Sequence, residues 1–381
     1  MSPKSAWVGL TVLSIAVFGA ITIEVAPIGL LPDIMTAFGV NKATAGLLVS
    51  MYAGLIAVSS VPLTRLTRRV ARKPLLLITL AIFSTSNLWA AVADSFEMLV
   101  AARTLGGLAH SLFFAVVIGY AARIAPVGQT GRAIALVATG TSIGIVLGLP
   151  AGTALGELIG WRATFASLGI LVGLCGVMAM ILLPPVSHDA EAGKQFVPGG
   201  GRLIIVAGLA GLCFLGYYTL YTYVSPMLLD AGLAKPWLSG ALVAFGIAGF
   251  IGIRLVAPHL DRHPFAFMVF VPATLVALQA GIAIAYPALW PLLIVVFLWT
   301  GAFGPVNSTY QNMLVRVGKD NPEMAGAWIN SMCNLGIGAG GAIGGVLVMG
   351  SGYAGASLTG AGIIAIALAI AVLGRRALTR A

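Results

Sequence analysis

Twelve apolar runs, each about 18 to 27 residues long, follow one another along this chain with only short polar breaks between them. They begin near Trp7, Ala43, Pro74, Glu97, Ala133, Ala163, Leu203, Trp237, Phe265, Trp290, Met324 and Ala354, and each is closed by a charge, a proline or a glycine. A helix needs roughly 20 apolar residues to cross the hydrocarbon of a bilayer. The pattern therefore predicts an all-α integral membrane protein with twelve transmembrane helices. The first run follows Lys4 in the manner of a signal peptide. It continues past Glu24 to Leu31 without a small-x-small site, so an uncleaved first span is expected. Composition agrees: 59% of the 381 residues are hydrophobic and 8% are charged, against about 25% charged in an ordinary soluble domain. So few charges cannot coat a soluble body, which argues against a cytosolic enzyme, a nucleic-acid binder and a disordered chain.

The net charge of +10 is a matter of topology. With the N-terminus inside, sixteen of the 21 basic residues fall in inner segments. Three, Lys42, Arg162 and Lys235, fall outside, and Arg103 and Arg254 lie within spans. Positive charge favours the cytoplasmic side, so both termini are expected in the cytoplasm of a bacterial-type inner membrane. The longest non-apolar stretch, 187–202, separates two six-helix bundles, 1–186 and 203–381. The halves repeat one another. The turn Pro62–Leu76 reads PLTRLTRRVARKPLL and its counterpart Ala257–Phe265 reads APHLDRHPF, each with basic residues followed by a proline. Parallel six-span repeats are a transporter architecture.

Glycine recurs every fourth residue in span 5 (Gly140, Gly144, Gly148, Gly152, Gly156) and in span 11 (Gly336, Gly340, Gly344). Residues four apart stay near one helix face, drifting about 40° per step. Such a face admits a second backbone at close range. It would also serve as a smooth surface on which two halves rock.

These residues bring a family into view. The chain resembles the major facilitator superfamily over its full length, and within it the twelve-helix drug/proton antiporters of the sugar-efflux (arabinose-exporter-like) branch. The resemblance is carried by Glu24 with Gly29-Leu30-Leu31-Pro32-Asp33-Ile34 and Gly46-Leu47-Leu48, and by Ala102-Arg103 with Gly107 and His110. It is carried further by Gly144, Gly148, Pro150 and Gly152 through Gly160-Trp161-Arg162, and by Asn334-Leu335-Gly336 through Gly344-Gly345. It implies two pseudo-symmetric bundles (the major facilitator fold), a cavity lined by spans 1, 4, 7 and 10, and a gating role for the basic inside turn of Arg69, Arg72 and Lys73. The family's Gly and Asp in that turn are replaced here by Thr64 and Arg68; the acid survives in the second half as Asp261, beside Arg262.

Of the eleven acids, Glu24 alone lies well inside a span. An ionisable group there is costly and by default functional. It sits about 10 Å below the outer end of span 1, and Arg103 about 9 Å below that of span 4. The matched depths suggest a pair facing one cavity, where a changing environment would load and release a proton. A static ion pair tying the two spans is the alternative. His110 lies on the same side of span 4 as Arg103 and is either a proton relay or a helix-to-helix hydrogen bond. Asp33 is expected to cap the outer end of span 1, and Arg254 to snorkel inward. Tyr217, Tyr218 and Tyr221 of span 7 suit stacking on a sugar or planar drug, or an interfacial belt. Asn307, Tyr310 and Gln311 of span 10 and Asn330 and Asn334 of span 11 are cavity candidates, with helix-to-helix hydrogen bonds as the plain alternative.

Other matches carry no chemistry. Gly140–Gly144 fits G-x-S-x-G without the strand–turn–helix context that motif needs. Ser187, His188 and Asp189 are adjacent rather than convergent. Cys175, Cys213 and Cys333 lie in apolar runs and suggest neither disulfides nor metal ligation. The expectation is a transporter rather than an enzyme, with no cofactor, no metal and no nucleic acid: a monomer in a lipid bilayer, exporting a small sugar-like or drug-like substrate against protons. Uptake by the same fold is the first alternative, and a non-transporting scaffold or sensor the second.

Overall fold

A computed structural model describes residues 3–67, 70–126, 129–184, 201–260, 262–317 and 322–375. These form α1 (Pro3–Phe38), α2 (Lys42–Leu66), α3 (Arg72–Ala91), α4 (Phe96–Ile124), α5 (Thr130–Leu182), α6 (Gly201–Tyr221) and α7 (Val224–Asp230). After a 3-10 turn at Lys235–Trp237 come α8 (Leu238–Leu260), α9 (Pro264–Ala285), α10 (Leu289–Phe303), α11 (Val306–Val317) and α12 (Pro322–Leu373). Among the described residues there is no strand. In hydrocarbon every backbone N–H and C=O must be satisfied internally, and helices do so. Local signals fix the ends: Ser95 accepts the Met98 N–H at 3.2 Å to cap α4, Glu97 follows in its first turn, and Pro264 opens α9.

Among the described residues, ten helical stretches are long and apolar enough to cross a membrane, and two of them are of double length. α5 has 53 residues and α12 has 52, each interrupted by one glycine: Gly160 at φ 84°, ψ 157° and Gly352 at φ 71°, ψ −175°. That backbone region is essentially closed to residues with a Cβ. The chain reverses at both points. Along the first arm of α5, Gly140, Gly144, Gly152 and Gly156 meet Ser14, Ile21, Ala26 and Leu30 of α1 in ascending order. Beyond Gly160 the order descends, with Val172 against Gly19 and Leu183 against Gly9. In α12, Gly336, Gly340 and Gly344 meet Gly211, Leu215 and Thr219 of α6 in ascending order. Beyond Gly352, Tyr353 meets Tyr286, Ser357 bonds Gln279 and Arg375 lies over Phe265, descending along α9. α9 itself runs alongside α6 and α7, since Gln279 bonds Gly216 and Tyr286 bonds Asp230. The reversals fall just before Ala163 and Ala354, where the sequence places the starts of spans 6 and 12. Counting each hairpin as two arms gives twelve passes.

The chain divides into two compact units, Met1–Leu30 with Val58–Gln195, and Leu31–Ala57 with Phe196–Ala381. The first is built on the glycine face of α5 against α1. The second is built on the glycine face of α12 against α6, and it also holds most of α2. There Gly338 and Gly341 of α12 lie against Ser50, and Gly345 lies against Ala43.

Candidate functional site

In the first unit, α1 and α4 bring Glu24, Arg103 and His110 together. His110 Nε2 stands 3.8 Å from Glu24 Oε2, with the two side chains 7% and 17% exposed. Arg103 is 2% exposed. Its guanidinium donates from Nη1 to the Ile23 carbonyl at 2.7 Å and from Nη2 to the Glu24 carbonyl at 3.4 Å. The arginine thus grips the main chain of α1 at the residue that carries the acid, while the imidazole faces the carboxylate. The three residues named from the sequence therefore lie side by side, the arginine on the α1 carbonyls and the imidazole at the carboxylate. Phe114 lies over the imidazole with ring centroids 4.7 Å apart, and Phe83 meets it edge-on at 6.1 Å. Such an apolar surround strengthens the interactions among the three polar groups and raises the cost of leaving any one unpaired.

The glycine face holds this group in place. A Cβ at Gly144 would lie 2.7 Å from Cβ of Ile21, one at Gly148 3.1 Å from Cα of Thr22, and one at Gly152 2.7 Å from Cβ of Ala26. These contacts bracket Glu24, so the α1 backbone is fixed on both sides of the acid. Pro150 is buried within α5 between them. At the far end of the unit, Lys73 donates to the Met180 carbonyl at 2.9 Å and also to the Leu183 carbonyl. It therefore caps the last turn of α5, where a cation is favoured. Arg72 opens α3 beside it. Arg69 and Asp261 lie outside the described residues.

In the second unit the three tyrosines form one aromatic group. Tyr217 is 2% exposed and stacks on Phe303 at 3.5 Å between centroids, with Trp299 at 4.2 Å and Tyr221 at 4.8 Å. Tyr218 meets Tyr217 edge-on at 5.5 Å and stacks on Phe214 at 6.2 Å. Tyr217 is thus inside the packing of α6 and α10, while Tyr218 and Tyr221 are half-buried at its margin. The remaining polar candidates separate in the same way. Tyr310 is buried, with its hydroxyl 3.3 Å from the Cys213 sulfur. Asn307 and Gln311, one helical turn apart on α11, are exposed, as is Asn330. Exposed amides within a span belong beside water or ligand rather than hydrocarbon. Asn334 is buried and donates to the Asn330 carbonyl at 3.0 Å and to its side-chain oxygen at 3.2 Å. Arg262 is exposed at the start of the turn into α9.

Several polar residues outside the candidate cavity and coupling sets do structural work. Gln279 is fully buried in α9: its amide donates to the Gly216 carbonyl at 2.8 Å and accepts from the Trp299 indole at 3.3 Å. A lone amide inside a 22-residue apolar helix is the signal by which it could have been found. Asp33, expected as a simple end cap, pairs with Lys235. Lys42 lies 4.5 Å above the ring of Tyr353. Tyr286, beyond the end of α9, donates to Asp230, and burial together with that bond pushes its phenol up to about 12.

Comparison with known proteins agrees with this architecture. The family description of the Major Facilitator Superfamily matches residues 13–340. A probable sugar efflux transporter of Helicobacter pylori (strain G27) is 28% identical over 358 residues, covering 92% of each chain, and one from Helicobacter acinonychis (strain Sheeba) matches equally well. Among solved structures, a bacterial homolog of the human lysosomal transporter Spinster, inward-facing and occupied, superposes with a TM-score of 0.79 at 16% identity, covering 99% of this chain and 98% of that one. A nucleoside transporter superposes with a TM-score of 0.77 at 14% identity, covering 98% and 100%. Ten long apolar stretches among the described residues, two of them broken at a glycine, and the match across most of the chain lead to one conclusion: this multi-pass membrane protein belongs to the major facilitator superfamily, whose members are transporters and not enzymes.

Proposed function

We propose that this transporter exports a small sugar or related polar-to-amphipathic compound across the inner membrane, driven by protons moving inward. The observation that carries the reading is the Glu24–His110 contact at 3.8 Å, anchored by Arg103 on the same turn of α1. A carboxylate inside a span must be compensated by nearby cations or take up a proton. Here both partners come from α4. A small shift of α1 against α4 alters that compensation, and the proton follows. Substrate and proton are then linked as two ligands of one conformational equilibrium, each shifting it only by its differential affinity for the two states.

The substrate class rests on two supports. Two relatives that align over 92% of the chain are described as probable sugar efflux transporters. The second unit offers half-buried Tyr218 and Tyr221 for stacking, and exposed Asn307, Gln311 and Asn330 for hydroxyl groups. The glycine faces at Gly144, Gly148 and Gly152 pack α1 and α5 into one body that rocks as a whole, and the turn residues Arg69, Arg72, Lys73, Asp261 and Arg262 gate the inner side. The test is transport by the purified chain in proteoliposomes with an imposed pH gradient, screened over sugars, nucleosides and drugs. Uphill movement of a sugar that stops when the gradient is collapsed supports the reading. Transport indifferent to the gradient contradicts it.

A further inference from the structure

Gln279 is the one amide of α9, and its two hydrogen bonds meet at the same tyrosine. Its Nε2 donates to the Gly216 carbonyl at 2.8 Å, and its Oε1 accepts from the Trp299 indole at 3.3 Å. An indole N–H only donates and a carbonyl only accepts, so the reversed amide would satisfy neither. Gly216 immediately precedes Tyr217 in α6, and the Trp299 ring lies 4.2 Å from the Tyr217 ring. Gln279 therefore fixes both the main chain at Tyr217 and the ring packed against it. Tyr217 meets Tyr221 at 4.8 Å and Tyr218 at 5.5 Å, which passes its placement to the two half-buried tyrosines. The space for the amide is kept by a glycine of α12. A Cβ at Gly360 would stand 2.2 Å from Gln279 Nε2 and 2.4 Å from the Gly216 oxygen. Ser357, also of α12, donates instead to the main-chain carbonyl of Gln279, and so anchors α9 without touching the amide.

From this geometry we infer that Gln279 is a specificity-determining positioning residue. It acts through Trp299 and Tyr217, setting the ring faces that Tyr218 and Tyr221 present to the apolar face of a sugar ring. Stacking depends on ring angle and offset as well as on buried area. Apolar contacts alone hold a ring loosely about its side-chain torsions, whereas a hydrogen bond to the indole nitrogen fixes its direction. In so buried a surround the indole cannot give up its acceptor without reorienting or bearing the cost of an unpaired donor. The selectivity of the tyrosines is thus set from behind, by a helix that supplies none of the rings. The inference rests on the stacking of substrate proposed above and is independent of proton coupling at Glu24.

The test is equilibrium exchange by the full chain in proteoliposomes without a pH gradient, with labelled arabinose, glucose and lactose as probes. Gln279→Met keeps the length of the side chain and removes both hydrogen bonds. It should raise KM about ten-fold, the consequence of one buried hydrogen bond. The maximal rate should change far less, as expected when binding rather than turnover is lost. Trp299→Phe keeps an aromatic ring without the N–H and should raise KM similarly. The double variant should be no worse than either single one, because both act through the same bond. Ser357→Ala, which loosens only the anchoring of α9, should keep the wild-type KM. Additive effects of the first two substitutions, a wild-type KM in Trp299→Phe, or a KM in Ser357→Ala raised as far as in Gln279→Met would each overturn the inference. The last two outcomes need no Gln279 variant to fold. Failure of the wild-type chain to exchange any of the three probes would overturn the sugar-stacking reading and this inference with it, whereas the other outcomes strike the inference alone.

Discussion

Arg103 carries a burden that another cation cannot take over unchanged. It donates from two nitrogens to two successive carbonyls of α1, Ile23 and Glu24, while almost fully buried. A lysine ammonium is a single point on a flexible stem and cannot hold that fork. Arg103→Lys should therefore lower the transport rate about ten-fold, the equivalent of one charge-assisted hydrogen bond. The amount of protein in the membrane should be unchanged, as measured by vesicle transport normalised to protein. A variant with wild-type rates would show that the two carbonyl bonds do not position Glu24. At this scale the sequence shows which residues are out of place in hydrocarbon but not what they touch. Glu24 and Arg103 stand out because charge inside a span is rare. That the guanidinium turns to main-chain oxygens, and that His110 faces the acid, depends on neighbours about 80 residues away in sequence. Tyr217 shows the same limit: a tyrosine in a span reads identically whether it faces a cavity or, as here, lies beneath Phe303 and Trp299.

The helical hairpins depend on glycine in two different ways. Gly160 and Gly352 need the backbone freedom, and nothing lies within 4 Å of a Cβ at either. The ladder glycines need the space. A Cβ at Gly140 would stand 2.1 Å from the Ser14 carbonyl oxygen, and one at Gly344 2.0 Å from that of Thr219. Gly208 and Gly240, by contrast, have nothing within 4 Å. Gly140→Ala and Gly344→Ala should each destabilise the fold by about 1–3 kcal/mol, the usual cost of overpacking. Gly208→Ala and Gly240→Ala should be neutral or slightly stabilising, because alanine is the better helix former. Thermal unfolding in detergent separates the two pairs, and equal melting of all four would refute the close-contact account. Much of this is legible in the sequence, since a four-residue glycine repeat has one obvious use in a membrane helix. The partner helices are not: α1 and α6 carry no matching repeat that names them.

For the whole molecule, the distribution of Lys and Arg is the strongest statement the sequence makes. The same few charges that argue against a soluble body set the expected orientation, and ten stretches among the described residues are long and apolar enough to cross a membrane. If the orientation is right, a cysteine replacing Ala234 should react with a membrane-impermeant maleimide on intact cells. One replacing His263 should react only after permeabilisation. The reverse pattern would invert the topology and with it the direction of proton flow. Two features of the whole were not legible. One is the grouping of Leu31–Ala57 with the second unit, which sequence order hides. The other is substrate identity, because tyrosines and amides suit sugars, nucleosides and drugs alike. The central claim is that Glu24 couples protons to export. Its most direct test compares Glu24→Gln with wild type in proteoliposomes, measuring both uphill transport under a pH gradient and exchange of labelled for unlabelled substrate without one. The account predicts that the variant loses uphill transport while exchange persists. Uphill transport at the wild-type rate would contradict it.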